Sequence, residues 1–187
     1  ANNYSSSLAA WAFGSPEAFL TGARAWLDAN GLPGVTVVEP SGLDRANTAT
    51  AADLVRLGEL ALAHPVLSDI VGTTNAEIPG IGAIANTNKL IGTDGVDGIK
   101  TGTLDDFGAN LLFSAELPVG SEVVRLVGVV LGGPDHPTIN GHIRSMIQQA
   151  AAGFHEVALV AEGEEIARYT TPWETTATAV AAKGASV

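Results

Sequence analysis

Three adjacent residues, Lys100-Thr101-Gly102, place a cation, a hydroxyl group and a glycine at the end of a short apolar segment. A lysine ammonium group can hold a carboxylate, and a neighbouring threonine hydroxyl can donate a hydrogen bond to the same anion. The glycine leaves room for a ligand to approach the backbone. The tripeptide therefore predicts a site for a carboxylate or acyl group, although such tripeptides also occur at ordinary exposed strand ends.

The other reactive residue types form no comparable pattern. The chain has no cysteine, which excludes disulfides, thiolate zinc sites and a thiol nucleophile. Its four histidines, His64, His136, His142 and His155, lack metal-ligand spacing, so we assign them surface or capping roles and predict no metal and no cofactor. Arg144 could assist carboxylate binding, but an exposed helical arginine is the simpler interpretation.

The composition is that of an acidic chain able to bury one sizeable core. Of its 187 residues, 46% are hydrophobic and 16% charged, and the formal net charge is -11. No block of like charge concentrates this excess, so nucleic acid and anionic membrane surfaces are excluded as expected partners. No apolar run reaches the roughly 18 residues of a membrane span.

Helical spacing and capping residues predict that the first part of the chain is helical. Two helices are expected before the breaker at Asn30-Gly31, one on either side of Gly14-Ser15. Thr50 is predicted to cap a third helix, with Asp53 three residues further on, and His64-Pro65 ends that helix. We expect Trp11 and Trp26, which lie at helical spacing, to belong to the core.

The second part of the chain predicts a meander of strands. Residues 73–97 are rich in glycine and favour loops and a hairpin. Successive antiparallel strands are predicted for Gly98–Thr101, Ala109–Glu116 and Val123–Leu131. A helix over Ile143–Phe154 should pack on this sheet, and further strands should follow. Helices, then a meander, then a helix indicate an α+β fold.

Several segments around the tripeptide resemble those of one enzyme family. They are Asn86-Thr87-Asn88-Lys89-Leu90, Gly95-Val96-Asp97-Gly98-Ile99, Phe107-Gly108-Ala109-Asn110-Leu111, Gly42-Leu43-Asp44 and Thr50-Ala51-Ala52-Asp53-Leu54. The chain is similar, over nearly its whole length, to the serine D-alanyl-D-alanine carboxypeptidases, which are low-molecular-weight penicillin-binding proteins. The resemblance implies a β-lactamase/transpeptidase-like three-layer fold, with a helical subdomain, an antiparallel sheet and a covering helix.

That family carries three motifs, Ser-x-x-Lys, Ser-x-Asn and Lys-Thr-Gly. Lys100-Thr101-Gly102 matches the third motif, and Ala1-Asn2 falls where the last two residues of Ser-x-Asn belong. The resemblance therefore implies that the nucleophilic serine lies in a segment of the same protein that precedes residue 1. An ordinary terminal residue is the open alternative for Asn2.

The resemblance also implies a role for each matched residue in acyl transfer from a peptidoglycan stem peptide. Lys100 would hold the terminal carboxylate and help the proton relay, and Thr101 would donate a hydrogen bond to that carboxylate. The backbone N–H of Thr103 would supply half of the oxyanion hole. Asn2 would bind the amide side of the substrate, and Gly102 would let the substrate lie along the strand. β-Lactams are expected at the same site.

Two other functions stay open on the sequence alone. A class A-like β-lactamase would share the fold and would need a glutamate for deacylation, and Glu39 lies at a plausible place for it. A non-catalytic penicillin-binding module that acts as a cell-wall scaffold would lack the upstream serine.

We expect two domains and an extracytoplasmic location in a bacterium. Residues 1–161 should form the later part of the penicillin-binding domain, without its nucleophile segment. Residues 162–187 should open a small all-β domain. Both ends of the chain look cut, so we expect a sheet edge and helical surface that the upstream segment covers.

Overall fold

The computed structural model describes residues 2–186 and begins with two helices, α1 (Asn2–Phe13) and α2 (Pro16–Ala29). Gly14, with φ of +77°, separates them in a left-handed conformation that favours glycine. The hydroxyl of Ser15 then caps α2 by accepting a hydrogen bond from the backbone N–H of Ala18 at 3.1 Å. The predicted break at Gly14-Ser15 is confirmed.

Two further helices complete a helical subdomain. Helix α3 (Ala51–Ala63) begins after Thr50, whose hydroxyl accepts a hydrogen bond from the N–H of Asp53 at 3.1 Å, so the predicted cap is confirmed. Helix α4 (Pro65–Gly72) follows at once, because a proline fits the first position of a helix but ends the previous one. The buried core of this subdomain consists of Leu27, Leu32 and Val35, with α3 leucines packed against it.

Strands form the middle of the chain, as the sequence predicts. β1 (Asn75–Ile78) and β2 (Gly82–Ala85) make an antiparallel hairpin. β3 (Val96–Leu104), β4 (Gly108–Val119) and β5 (Glu122–Gly133) make an antiparallel sheet in the order β3-β4-β5. Each of these three strands is longer than predicted, because pairing with the neighbouring strand continues up to the turns, even at glycine and proline residues such as Gly108 and Pro118.

Helix α5 (His136–Gly153) covers one face of this sheet. Its buried residues Ile139, Ile143 and Ile147 pack with alternate residues of β4, which include Leu111 and Phe113. The helix starts seven residues before the predicted Ile143. Asp135 causes the early start, because its carboxylate accepts a hydrogen bond from the N–H of Thr138 at 2.7 Å and caps the first turn.

Helix α3 lies on the opposite face of the sheet and approaches it closely at Gly58. A Cβ atom added there would lie 3.1 Å from side-chain carbons of Ile99 and Val127 and 3.3 Å from Leu112. Leu112 and the neighbouring Leu111 therefore point to opposite faces, as strand alternation requires. Helices on both faces of one antiparallel sheet give three layers. Ile99 of β3 lies near Gly58 of α3, and Lys100 is the next residue of β3.

Four short strands, paired two by two, end the described chain. β6 (Ala158–Val160) pairs with β9 (Ala185–Ser186), and β7 (Glu165–Thr170) pairs with β8 (Thr176–Val180), all antiparallel. Further strands after α5 are thereby confirmed. The boundary at residues 161 and 162 stays a prediction.

The tryptophans do not lie in the core, contrary to expectation. Trp11 is 82% exposed and Trp26 is 46% exposed. Trp11 belongs to α1, which packs mainly against α2, and it lies on a face of α1 that stays exposed. Trp26 belongs to α2 and is only partly covered. None of the described helices is long and apolar enough to cross a membrane.

Candidate active site

Lys100 lies in β3, which is one of the two edge strands of the described three-stranded sheet. Its side chain is exposed along part of its length, and its ammonium group donates a hydrogen bond to the backbone carbonyl of Thr101. Partial burial beside the strand lowers the pKa of Lys100, because desolvation disfavours the charged form. The site thus presents a cation that releases a proton more readily than a free lysine.

Polar contacts fix the start of β3. Ser114 of the neighbouring strand is fully buried, and its hydroxyl donates a hydrogen bond to Asp97. The guanidinium of Arg125 lies 3.3 Å from the other carboxylate oxygen of Asp97 and also pairs with Glu116. This network joins all three strands a few residues before Lys100.

Two asparagines hold the loop beside β3. The amide nitrogen of Asn86 donates to the carbonyl oxygen of Thr73 at 3.0 Å, just after α4. Asn88 is buried, its amide nitrogen donates to the carbonyl oxygen of Gly98 at 3.0 Å, and its amide oxygen accepts from the N–H of Leu90 at 3.0 Å. The loop is therefore attached to the helical subdomain at one asparagine and to β3 at the other.

Thr87, the residue between these asparagines, reaches the predicted site. Its hydroxyl oxygen lies 2.5 Å from that of Thr101, and either hydroxyl can donate. If Thr87 donates, the hydroxyl hydrogen of Thr101 is free to bind an anion. The sequence predicted no role for Thr87, and the structure places its hydroxyl beside that of the predicted carboxylate-binding residue Thr101.

Gly102 has open space where a side chain would stand. A Cβ atom added there would meet only the Cβ of Asn110, at 3.9 Å, which is an ordinary van der Waals distance. Neither backbone conformation nor packing within the described chain requires a glycine at this position. Space beside an edge strand is what an approaching ligand needs.

His136 lies beside the candidate site, although its sequence context did not predict this position. Its Nε2 atom lies 2.8 Å from the hydroxyl oxygen of Thr103, across 33 residues of sequence. The sequence assigned His136 a surface or capping role, because no nearby motif marks it. The available signal in the sequence is that His136 directly follows Asp135, which caps α5. This signal was missed because the start of the helix was predicted seven residues too late.

Asn2 is not joined to these residues by the hydrogen bonds of the described chain. It begins α1, and its amide nitrogen donates to the carbonyl oxygen of Ser41 at 2.7 Å. Arg144 is also elsewhere, because its guanidinium pairs with Asp94 at 2.6 Å. The structure therefore groups Lys100, Thr101, Gly102 and Thr103 along β3, while Asn2 lies at the loop that contains Ser41.

The carboxylate of Glu39 is hydrogen-bonded within its own loop. It accepts hydrogen bonds from the N–H groups of Ser41 at 2.5 Å and Leu43 at 2.9 Å, and from the Asn47 amide at 2.7 Å. Burial raises the pKa of Glu39, but hydrogen bonds from Ser41, Asp44 and Asn47 outweigh this effect and lower it to about 2. Such a carboxylate is a poor general base at neutral pH. No cluster of three potential metal ligands occurs within residues 2–186.

The three-layer fold that carries Lys100 is also found in solved structures of other proteins. The structure superimposes on penicillin binding protein 5 from Haemophilus influenzae with a TM-score of 0.72 and 24% identity, over 97% of this chain and 54% of that one. It is also similar to D-alanyl-D-alanine carboxypeptidase from Mycobacterium tuberculosis, with a TM-score of 0.67 and 23% identity, over 79% and 58% of the two chains. The chain thus has the penicillin-binding, transpeptidase-like fold.

A third similar structure is penicillin-binding protein D2 from Listeria monocytogenes in its cefotaxime-bound form, with a TM-score of 0.69 and 23% identity over 81% of this chain and 61% of that one. The chain therefore spans little more than half the length of these solved structures. No curated protein matches it in sequence. The chain belongs to the D-alanyl-D-alanine carboxypeptidase family, whose model matches residues 1–135.

Proposed function

We propose that the protein is a serine-type D-alanyl-D-alanine carboxypeptidase that removes the terminal D-alanine of peptidoglycan stem peptides through an acyl-enzyme. One observation carries the proposal. In a chain of this family, Lys100 and Thr101 stand on an edge strand next to Gly102, whose missing side chain leaves open space. A peptide that ends in a carboxylate can lie along such an edge as an added strand.

The residues of β3 would bind two groups of the substrate, namely its terminal carboxylate and the carbonyl group that the serine attacks. Lys100 and Thr101 bind the terminal carboxylate by a charge-assisted and a neutral hydrogen bond. The serine oxygen attacks the penultimate D-alanine carbonyl, and the backbone N–H of Thr103 stabilises the negative charge that forms on its oxygen. The C–N bond breaks, terminal D-alanine leaves with a proton, and water hydrolyses the ester. The lowered pKa of Lys100 suits a group that takes part in proton transfer.

The nucleophile in this proposal belongs to a Ser-x-x-Lys segment upstream of residue 1, and Asn2 completes a Ser-x-Asn motif. Asn2 would bind the amide side of the substrate. Its contact with Ser41 uses one N–H of the side-chain amide, which leaves a second N–H and the amide oxygen for substrate.

β-Lactams would acylate the same serine. The support is the Listeria protein, which shares the fold and is known in cefotaxime-bound and ampicillin-bound forms. We also propose that the protein acts outside the cytoplasmic membrane of a bacterium, where its substrate is, and that residues 162–187 open a separate β domain.

The test is mass spectrometry of the full-length protein after incubation with benzylpenicillin, together with release of D-alanine from a D-alanyl-D-alanine peptide. We expect a penicilloyl adduct on the full-length protein, steady D-alanine release and slow β-lactam hydrolysis. Residues 1–187 alone should form no adduct. Fast β-lactam hydrolysis would indicate a β-lactamase instead, and neither adduct nor D-alanine release would indicate a non-catalytic scaffold.

A further inference from the structure

We infer that His136 is a positioning residue for acyl transfer and that it acts through Thr103; this inference rests on the proposed carboxypeptidase function. The observation is the 2.8 Å contact between His136 Nε2 and the Thr103 hydroxyl oxygen. It joins the first residue of α5 to the strand that carries Lys100. No assigned role in the proposed chemistry uses the imidazole.

Thr103 needs an external support because of its place in the sheet. It is exposed, it is the second-last residue of β3, and β3 pairs with a strand on only one side among the described residues. Backbone at the end of an edge strand opens more easily than backbone inside a sheet. A donor in an oxyanion hole, by contrast, must stay within hydrogen-bond distance of one point in space.

Helix α5 supplies a rigid support. Its residues Ile139, Ile143 and Ile147 are at most 2% exposed and belong to the main core cluster. The capping bond from Thr138 N–H to Asp135 fixes the first turn, where His136 stands. The imidazole is therefore held by the core of the protein, and its hydrogen bond transfers that fixed position to Thr103.

The contact depends on how far the Nε2 atom lies from the backbone of His136. Either partner can donate, depending on which ring nitrogen carries the proton. A glutamine amide can donate or accept at nearly the same distance from the backbone as Nε2. An asparagine amide has the same chemistry but is shorter and cannot reach the Thr103 hydroxyl. The pair His136→Gln and His136→Asn thus separates the hydrogen bond from every other property of the residue.

The experiment measures kcat and KM for D-alanine release by the full-length protein. His136→Asn should lower kcat by about three- to tenfold, the value of one neutral hydrogen bond, with KM unchanged. His136→Gln should stay near the wild type. In a Thr103→Val background, which removes the hydroxyl but keeps the backbone N–H, His136→Asn should have no further effect. His142→Asn, at an exposed position of the same helix, is the matched control.

Three results would overturn the inference while wild-type turnover stands. They are an unchanged kcat in His136→Asn, equal losses in the Gln and Asn variants, and a rise in KM alone, which would mean that the imidazole contacts substrate directly. Thermal melts of each variant exclude unfolding as the cause. A wild-type protein without turnover would overturn the proposed function and this inference together.

Discussion

The hydroxyl oxygens of Thr87 and Thr101 lie 2.5 Å apart, although 14 residues separate them in the sequence. Thr87 comes from a loop that two asparagines fix, and Thr101 stands on the strand next to Lys100. The contact gives Thr101 a defined rotamer before substrate arrives. When the Thr87 hydroxyl is the donor, the hydrogen of the Thr101 hydroxyl is free to be donated to a carboxylate.

Replacing Thr87 by valine should weaken substrate binding. The change keeps the shape of the side chain and removes one hydroxyl, so Thr101 loses its partner. We expect kcat/KM on a D-alanyl-D-alanine peptide to fall by about three- to tenfold, mainly through KM, with an unchanged melting temperature. Thr178→Val on the exposed strand β8 should leave both quantities unchanged. Equal kcat/KM in the wild type and Thr87→Val would contradict this role.

Asn88→Ala should destabilise the protein. Both hydrogen bonds of the buried amide are lost, so the Gly98 carbonyl and the Leu90 N–H each lose a partner. We expect a loss of about 1–3 kcal/mol in the free energy of unfolding, measured by urea denaturation. Asn75→Ala, at an exposed position, provides the comparison and should cost little. A midpoint shift no larger than that of Asn75→Ala would show that the loop does not depend on Asn88.

The sequence predicted the elements that local patterns encode. Helix α3 follows from the Thr50 cap and its leucine spacing, and the meander follows from apolar runs between turn residues. Lys100 was found because three chemically distinct residues stand side by side. These features depend on neighbours a few residues apart, which a single sequence displays directly.

The contacts that complete the site could not be predicted in this way. The partners His136 and Thr103 are 33 residues apart, and no periodicity connects a helix start to a strand end. The contact between Thr87 and Thr101 could not be predicted either, because only the fold brings the two hydroxyls together. The start of α5 was missed because apolar periodicity begins at Ile143, whereas the cap at Asp135 sets the true start. Tertiary packing decides such contacts.

Gly102→Ala should separate activity from stability. Apart from its neighbours in the chain, no atom of the described residues lies closer than 3.9 Å to the added methyl group, so the fold should be unchanged or more stable by about 0.4–1 kcal/mol. A substrate strand would meet the methyl group, and kcat/KM should fall by about tenfold or more, since overpacking costs about 1–3 kcal/mol. Gly141→Ala, with nothing within 4 Å, should keep full activity. Full activity in Gly102→Ala would contradict substrate approach along β3.

The lowered pKa of Glu39 should make the stability of the protein depend on pH in the acidic range. This pKa is lowered to about 2 in the folded chain from an ordinary value of 4.5, so folding stabilises the charged form. This contribution is present above pH 4.5 and is lost as the pH falls from about 4.5 to about 2. Urea denaturation across that range should show a steeper loss in the wild type than in Glu39→Gln. Parallel curves for the two proteins would show that the loop hydrogen bonds do not stabilise the carboxylate.

The proposed role of Lys100 can be tested with a matched set of variants. Lys100→Ala removes the cation that we propose to hold the substrate carboxylate. Lys100→Arg keeps the charge but replaces a compact ammonium by a planar fork, which should not restore activity in a narrow cleft. Lys183→Ala removes an exposed lysine of the C-terminal segment and serves as the control.

The decisive measurement is kcat/KM of the full-length protein on a D-alanyl-D-alanine peptide, with a thermal melt of each variant. Lys100→Ala should lose roughly 2–4 kcal/mol of transition-state stabilisation, which is roughly 30- to 1,000-fold in kcat/KM, while its melting temperature stays that of the wild type. Lys183→Ala should match the wild type in both. Unchanged kcat/KM in Lys100→Ala, with an unchanged melting temperature, would contradict the proposed role of Lys100. Lys100-Thr101-Gly102 would then be an ordinary exposed strand end.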